Sequence, residues 1–373
     1  MASANDRKRV PLIKPYITEE VKAKVCEVLD SGYLTEGPVT EEFTERIRAY
    51  VGSQYALAVS NCTVGLELAL RALDIGPGDE VIIPDYTYPA TGDAVQIVGA
   101  KVVIVDIDPE TCLMDCHALE NALAPQTKAV IPVSLFGNPL DYGRLKEVTD
   151  ERNIFVLEDA ACSLGAKYGG ACVGNLADIS VFSLHPRKFI TTGEGGVVTT
   201  DNAKWAAWMD SYKHFGMGKT GDRVGAQFER IGTNYKLSNI QAAVGLVQMR
   251  HIDMLLARRA QIAQRYNDLL QDVPGVSFLK ITPEGTHSWQ SYCIFVENPS
   301  QVIVKLRERG IETQIGTYSL HMHGAFNENP NCLIVGDMTG SRYAFEHCLC
   351  LPLYHEMYEE MQDYVVQELV EVI

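Results

Sequence analysis

Residues 178–200 read DISVFSLHPRKFITTGEGGVVTT and place one lysine between two apolar runs. The runs 178–184 and 196–200 have the composition of buried strands. Between them, Gly193, Gly195 and Gly196 allow backbone conformations that other residues avoid. Two interpretations of Lys188 follow: a solvated lysine on an ordinary loop, or the nitrogen around which a site is built.

Short apolar runs of the same kind recur through the first half of the chain and alternate with helical patterns. They lack the polar alternation of strands with one solvated face, so they predict a mostly parallel sheet covered by helices on both sides. A long helical stretch from about Ser238 and a mixed region follow. We therefore predict an α/β protein with a large domain at 1–250 and a smaller C-terminal α+β domain at 251–373.

Composition limits the partners. The 373 residues carry a formal net charge of −16, which argues against nucleic acid or an anionic membrane as the main partner. The ten cysteines include no CxxC and no zinc spacing, so no metal site is predicted. The sequence shows no secretory leader and no apolar run of bilayer length, and we expect a protein of the reducing cytoplasm.

Polar residues stand at the ends of three predicted strands, where ligands of parallel sheets bind. Thr63 follows the first strand at the start of a helix, and it suits either an anion or an ordinary helix cap. Glu158 and Asp159 end another strand, where a buried carboxylate needs a cation or hydrogen-bond donors. Lys188 follows the third, where we expect burial to lower the pKa of the lysine and so make it a nucleophile towards carbonyls.

An anion cradle, a buried aspartate and an activated lysine together meet the needs of pyridoxal 5′-phosphate. The phosphate would take the helix start, the aspartate the pyridine nitrogen and the lysine the aldehyde. Ser183 is a further candidate hydroxyl donor to the phosphate. An aromatic ring should cover the cofactor, and Tyr86 and Tyr88 are the candidates, although a tyrosine there could also be core.

From about Pro11 to the C-terminus the chain resembles the DegT-type sugar aminotransferases, a branch of the fold-type I pyridoxal phosphate enzymes. The resemblance is carried by ordered blocks rather than by one motif. These blocks are VSNCTVGLELALRAL, GPGDEVIIPDYTY, EDAACSLGAKYGG, FSLHPRKFITTGEGG and TNYKLSNIQAAVGLVQM.

The resemblance implies a role for each matching residue. Lys188 looks like the Schiff-base lysine, Asp159 like the partner of the pyridine nitrogen and Tyr88 like the stacking ring. Asn234 resembles an asparagine that reaches the phosphate of a neighbouring subunit, which implies a homodimer with shared active sites. The implied phosphate contacts are Cys62, Thr63 and Ser183.

The substrate side resembles the family less closely. His185 matches a frequent active-site histidine, His321 a substrate-side histidine, and Cys162 stands where many members carry glutamine. A thiol would hydrogen-bond the cofactor's phenolic oxygen only weakly. A His-Tyr pair that many relatives carry near Gly316 is absent. Cations for a substrate diphosphate would be local, and the candidates are Arg187, Arg223, Arg230 and Lys236.

The resemblance implies an aminotransferase that moves an amino group from L-glutamate to a nucleotide-linked keto-deoxysugar. The intact Lys188 separates the chain from relatives that dehydrate sugars, which carry histidine there. The ending TTGEGG is more similar to members that act at sugar C4 than to the C3 group. Two alternatives remain: a keto-cyclitol acceptor, and a non-catalytic regulator that binds the cofactor or a sugar.

Overall fold

The computed structural model describes residues 9–218 and 225–373. Helices and strands alternate along the first half, as the apolar runs predict. The α-helices are α1 Glu19–Ser31, α2 Pro38–Val51, α3 Cys62–Ala72, α4 Ala90–Ile97, α5 Cys116–Ala122, α6 Tyr142–Thr149, α7 Ala203–Lys213, α8 Asn239–Arg250, α9 Ile252–Leu270, α10 Pro299–Glu308, α11 Gly324–Asn327, α12 Thr339–His347 and α13 Glu359–Val370.

The strands are mostly short. They are β1 Tyr55–Val59, β2 Glu80–Pro84, β3 Tyr86–Thr87, β4 Lys101–Val105, β5 Ile107–Asp108, β6 Leu113–Met114, β7 Thr127–Val130, β8 Phe155–Asp159, β9 Lys167–Tyr168, β10 Ala171–Cys172, β11 Ile179–Ser183, β12 Gly196–Thr200, β13 Ser277–Phe278, β14 Gly285–Thr286, β15 Tyr292–Phe295, β16 Gln314–Ile315, β17 Tyr318–Ser319, β18 Cys332–Val335 and β19 Cys348–Leu351.

Eight strands form the main sheet in the order β1-β12-β11-β8-β7-β2-β4-β18. Strand β12 runs antiparallel to both of its neighbours, and the other pairings are parallel. Apolar side chains are buried on both faces, in one cluster with α3, α4 and α7 and in another with α2, α6 and α8. The predicted α/β fold with a largely parallel sheet is confirmed.

A second sheet lies in the C-terminal part of the chain, with the antiparallel order β13-β15-β19-β16. Helices α9, α10 and α13 contribute to its own buried apolar cluster. Segments cross the predicted boundary at residue 250 in both directions. Val10 pairs with Ile311, and β18 joins the main sheet beside β4, so the division into 1–250 and 251–373 stays a prediction.

Helix ends follow local rules. Thr18 caps α1 by accepting a hydrogen bond from the amide of Val21, and Ser238 forms a capping box with Gln241 at the start of α8. The long helical stretch after Ser238 is broken at His251, where the backbone leaves the helical region and α9 begins. These caps fix where the elements that carry the site begin.

Candidate active site

The lysine stands on the loop between β11 and β12. Backbone bonds from Leu184 N–H to the carbonyl of Gly195 and from Thr192 N–H to the carbonyl of Leu184 close this loop. Gly193 has φ +87°, a left-handed conformation that favours glycine. The loop presents Lys188 inwards, and its Nζ lies 3.0 Å from the Sγ of Cys162.

Asp159 ends β8, the strand beside β11, and only 5% of it is exposed. Its Oδ2 accepts a hydrogen bond from Thr91 Oγ1 at 2.8 Å, and its Oδ1 accepts one from the amide of Ala161 at 3.1 Å. Burial raises the pKa of Asp159, while Thr91, Ala161 and the charge of Lys188 each lower it. The carboxylate therefore depends on these partners to remain charged.

Glu158 points away from Asp159, because successive side chains of a strand face opposite sides. It is fully buried and accepts hydrogen bonds from Ser134, from Tyr142 at 2.6 Å and from Ser180 at 2.9 Å. Burial raises its pKa, and the three hydroxyls counteract this rise. Of the two partners that a buried carboxylate can have here, a cation or hydrogen-bond donors, Glu158 therefore has the donors.

Helix α3 begins at the edge of the same sheet. Asn61 caps it by accepting a hydrogen bond from Val64 N–H at 3.0 Å, so Thr63 is not the cap. A Cβ on Gly196 would lie 2.9 Å from the amide nitrogen of Cys62, which shows how closely β12 approaches the helix start. The first amides of a helix have no partner within it and attract anions.

The pKa of Lys188 runs against the sequence-based expectation. Burial lowers it, as expected, but the neighbouring Cys162, Cys62 and Asp159 raise it by more, and the net direction is upward. The prediction of a lowered pKa is therefore wrong for the free lysine, because acidic groups surround the amine. For the Cys62 thiol, in contrast, burial itself raises the pKa, well above the usual value.

The two candidate tyrosines differ in burial. Tyr86 is 1% exposed, and its hydroxyl donates to the carbonyl of Ala344 and accepts from Thr317 N–H, so it belongs to the core. Tyr88 is 65% exposed at the start of the segment that leads to Thr91. Its ring lies 6.1 Å from that of Tyr318. The ring of Tyr88 is thus mostly exposed, and its stacking role stays a prediction.

His321 is held by a buried carboxylate that sequence reasoning missed. Asp85 follows β2, is fully buried, and accepts hydrogen bonds from the amide of His321 at 2.7 Å and from its Nδ1 at 2.6 Å. Ser341 also donates to Asp85. With Nδ1 bound, the imidazole presents Nε2, which lies 3.5 Å from an Arg342 nitrogen. Asp85 thereby fixes the orientation of the predicted substrate-side histidine.

Three other predicted site residues have contacts of their own. The Oγ of Ser183 accepts from the amide of His185 at 3.4 Å. The Nε2 of His185 lies 3.8 Å from a carboxylate oxygen of Glu194, and burial lowers the pKa of this histidine although Glu194 counteracts the effect. Asn234 is exposed, and its side chain accepts from Lys236 N–H. No contact joins Asn234 to Lys188 among the described residues.

The candidate cations for a diphosphate have protein partners. Arg187 donates to Gln314, Arg230 pairs with Glu229 and lies over the ring of Trp208, and Lys236 lies over the ring of Phe215. Arg223 lies outside the described residues.

Two further observations concern metals and membranes. Glu36, Asp210 and His214 form a cluster of metal-ligand type in the described part of the chain. Lys213, which is 3% exposed, places its ammonium 2.6 Å from Glu36, so a lysine supplies the cation there.

No helix in residues 9–218 and 225–373 combines the length and the apolar character needed to span a bilayer.

The residues present fit pyridoxal phosphate. The buried carboxylate, the lysine and the open start of α3 stand at the carboxyl ends of β8, β11 and β1, which lie at one edge of the mostly parallel sheet. They match the three parts of this cofactor, its aldehyde, its pyridine nitrogen and its phosphate. Fold and site together define an enzyme that uses pyridoxal phosphate.

The chain belongs to the DegT/DnrJ/EryC1/StrS aminotransferase family, whose model matches residues 15–370. Members of this family depend on pyridoxal phosphate, and this protein is a sugar aminotransferase with the same cofactor. The resemblance inferred from the sequence blocks is confirmed.

Individual relatives agree with this assignment. The spore coat polysaccharide biosynthesis protein SpsC of Bacillus subtilis is 33% identical over 378 residues, which cover 98% of this chain and 97% of SpsC. The aminotransferase TlmJ of Streptoalloteichus hindustanus superposes with a TM-score of 0.91 at 28% identity, covering 98% of each chain. Spr1654 of Streptococcus pneumoniae, assigned as a sugar aminotransferase and solved in its PMP form, gives 0.91 at 31% identity, again covering 98% of each chain.

Proposed function

We propose that this protein transfers the amino group of L-glutamate to a nucleotide-linked keto-deoxysugar, at C4, in the cytoplasm. The observation that carries this proposal is the enclosure of the Lys188 amine among Cys162, Cys62 and Asp159 at one edge of the sheet. The family of sugar aminotransferases supports the acceptor class, and SpsC, a polysaccharide biosynthesis protein, supports a role in making surface sugars.

Pyridoxal phosphate supplies an aldehyde that accepts the amino group and a ring that withdraws electrons. The protein's own groups do the rest. Lys188 accepts the proton that leaves the α-carbon of glutamate and returns a proton when the keto-sugar is aminated. Asp159 keeps a negative charge in a buried position, where it favours a protonated ring nitrogen. The first amides of α3, with Thr63 and Ser183, would hold the phosphate.

The substrate side would be shaped by His321, which Asp85 orients, and by Tyr88. An Nε2 directed away from Asp85 offers one polar contact to a sugar or diphosphate oxygen. Arg230 and His185 are further substrate contacts in this proposal.

The proposal includes a homodimer. Five large apolar side chains on connected segments near Asn234 are exposed, among them Ile231 at 93% and Phe228 at 64%; the others are Tyr33, Leu34 and Phe215. Asn239, at the start of α8, links this helix to the segment of Tyr33 and Leu34, because its Nδ2 donates a hydrogen bond to the carbonyl of Tyr33. Exposed apolar patches of this kind mark protein interfaces. A second copy on this surface would bring Asn234 towards the neighbour's phosphate.

The test is a panel of acceptors offered with L-glutamate, comprising nucleotide-linked 3-keto and 4-keto sugars and a keto-cyclitol. We expect product only with the 4-keto sugars, with a mass that shows one nitrogen gained and with that nitrogen at C4 by NMR. Lys188→Ala should abolish turnover. Product from the cyclitol alone would replace the sugar assignment, and a biological effect that survives in Lys188→Ala would indicate a regulator.

The dimer is tested separately by light scattering during size-exclusion chromatography. We expect the wild type at twice the chain mass of 41.2 kDa and Ile231→Asp at or near the monomer mass. A monomeric wild type with full activity would contradict the shared site.

A further inference from the structure

One side chain from the C-terminal part of the chain holds the peptide groups on both sides of Lys188. The Oε1 of Gln290 accepts a hydrogen bond from Phe189 N–H at 3.1 Å, and its Nε2 donates to the carbonyl of Arg187 at 2.9 Å. Gln290 is 6% exposed, so water competes little for these bonds. The oxygen of the Gln290 amide must face Phe189 N–H and its nitrogen must face the Arg187 carbonyl, so only one orientation of the amide makes both hydrogen bonds.

The backbone of Gln290 is itself anchored by Arg259. The guanidinium donates from Nε to the carbonyl of Trp289 at 2.6 Å and from an Nη to the carbonyl of Gln290 at 2.8 Å. It also lies over the ring of Phe189, 5.5 Å from the ring centre. Arg259 is 2% exposed, and burial lowers its pKa to about 9, so it remains charged at neutral pH. A buried charge is costly unless it is hydrogen-bonded, and here the carbonyls of Trp289 and Gln290 accept from the guanidinium.

The same segment also contacts the turn that carries the lysine's partner. Ser288 donates from Oγ to the carbonyl of Cys162 at 3.3 Å, and its amide donates to the carbonyl of Gly137. The segment 288–290 therefore contacts the chain on both sides of the Lys188–Cys162 contact. A shift of this segment would change the distance between the amine and its neighbours.

We propose that Gln290 is a positioning residue for Lys188, and that Arg259 holds the backbone of Gln290 in place. It holds the backbone at residues 187 and 189 so that the amine stays beside Cys162 and Asp159. This inference rests on the proposed function only in that Lys188 is the residue that reacts with the cofactor. Displacement of a reacting group by about 1 Å can cost on the order of a hundredfold in rate.

The readout is the rate at which the cofactor-free protein forms an adduct with pyridoxal phosphate, trapped by borohydride and located by peptide mass spectrometry. Gln290→Met keeps the length of the side chain and removes both hydrogen bonds, so we expect adduct formation at Lys188 to slow at least about tenfold. Gln290→Glu keeps an acceptor for Phe189 N–H and should fall between Gln290→Met and the wild type. The pH at which the visible absorbance of the complex changes should shift in the same order.

Gln248→Met is the matched control. Gln248 is also buried, and its Oε1 accepts from Thr191 N–H at 2.8 Å, on the same loop but away from the peptide groups that flank Lys188. We expect it to alter melting temperature but to leave the rate within twofold of the wild type. The inference is overturned if folded Gln290→Met reacts at the wild-type rate, if Gln248→Met is slowed equally, or if Gln290→Glu is no slower than the wild type where Gln290→Met does not fold. A wild type that forms no adduct at Lys188 would instead remove the proposed function.

Discussion

The Nζ of Lys188 and the Sγ of Cys162 are 3.0 Å apart, and this contact contributes to the raised pKa of the lysine. Cys162→Ala removes the contact, so the pKa of Lys188 should fall below that of the wild type. A larger fraction of the amine is then neutral at a given pH and can attack an aldehyde.

We therefore expect cofactor-free Cys162→Ala to react with pyridoxal phosphate at lower pH than the wild type. The measurement is the rate of adduct formation between pH 6 and 10. Cys116→Ala, which removes a thiol elsewhere in the chain, should leave the profile unchanged. A profile of Cys162→Ala that stays in place or moves to higher pH would rule out this coupling.

The hydroxyl of Thr91 lowers the pKa of Asp159 against the effect of burial. Burial raises the pKa of Asp159 and the Thr91 hydroxyl lowers it, so Thr91→Val should raise this pKa further. The carboxylate is then protonated at higher pH, and the acid limb of the pH–rate profile should move upward. We expect roughly tenfold slower turnover near neutral pH.

Thr91→Ser retains the hydroxyl and should keep the acid limb close to that of the wild type. The comparison is made on the pH dependence of the glutamate half-reaction, followed by absorbance. If Thr91→Val and the wild type share one acid limb, Asp159 does not govern it.

Asp85 should matter for the sugar and not for glutamate. Asp85→Asn weakens the hold on His321 Nδ1, so kcat/KM for the keto-sugar should fall by about tenfold or more. The glutamate half-reaction should remain within twofold. Asp106→Asn is the matched control, because Asp106 accepts from the amides of Gly340 and Ser341 nearby without contacting His321. Equal losses in both half-reactions would show that Asp85 acts on the fold.

His287 predicts a component of acid sensitivity. Burial, with the charge of Arg259, lowers the pKa of His287 to about 3, and its Nδ1 accepts from Trp289 N–H. The unfolded chain binds a proton at this histidine below about pH 6.5, whereas the folded chain does not until about pH 3. Stability contributed by the neutral imidazole is therefore lost as the pH falls through this window.

His287→Gln should flatten the fall in melting temperature between pH 6.5 and 4 relative to the wild type. His117→Gln, at an exposed histidine, should leave the slope as it is. A wild-type slope that His287→Gln does not change would place the acid sensitivity elsewhere, for example at the carboxylates.

The sequence predicted the parts of the fold and site that depend on local pattern. Apolar runs without alternation indicated the buried parallel strands, and the polar residues at their ends, Asp159 and Lys188, lie together at one edge. The position of a strand end in a parallel sheet is enough to bring such residues together.

Partners that are distant in the chain were not predictable. Asp85 and His321 are 236 residues apart, and Gln290 lies 101 residues from Phe189, so no local period relates them. The direction of the lysine pKa was also missed, because it depends on how many acidic groups the fold gathers around the amine. The sequence also left open which of Tyr86 and Tyr88 belongs to the core, because burial depends on the packing of distant segments; in the structure Tyr86 is buried and Tyr88 is exposed.

Strand β18 supplies the outer edge of the main sheet, although it lies more than 220 residues after β4, its neighbour. While the chain is being synthesised, the backbone groups of Lys101–Val105 on that side have no sheet partner until residues 332–335 leave the ribosome. An open strand edge is a template for pairing with other chains. Strand β4 is therefore the edge at which a partly synthesised sheet can mispair with another chain.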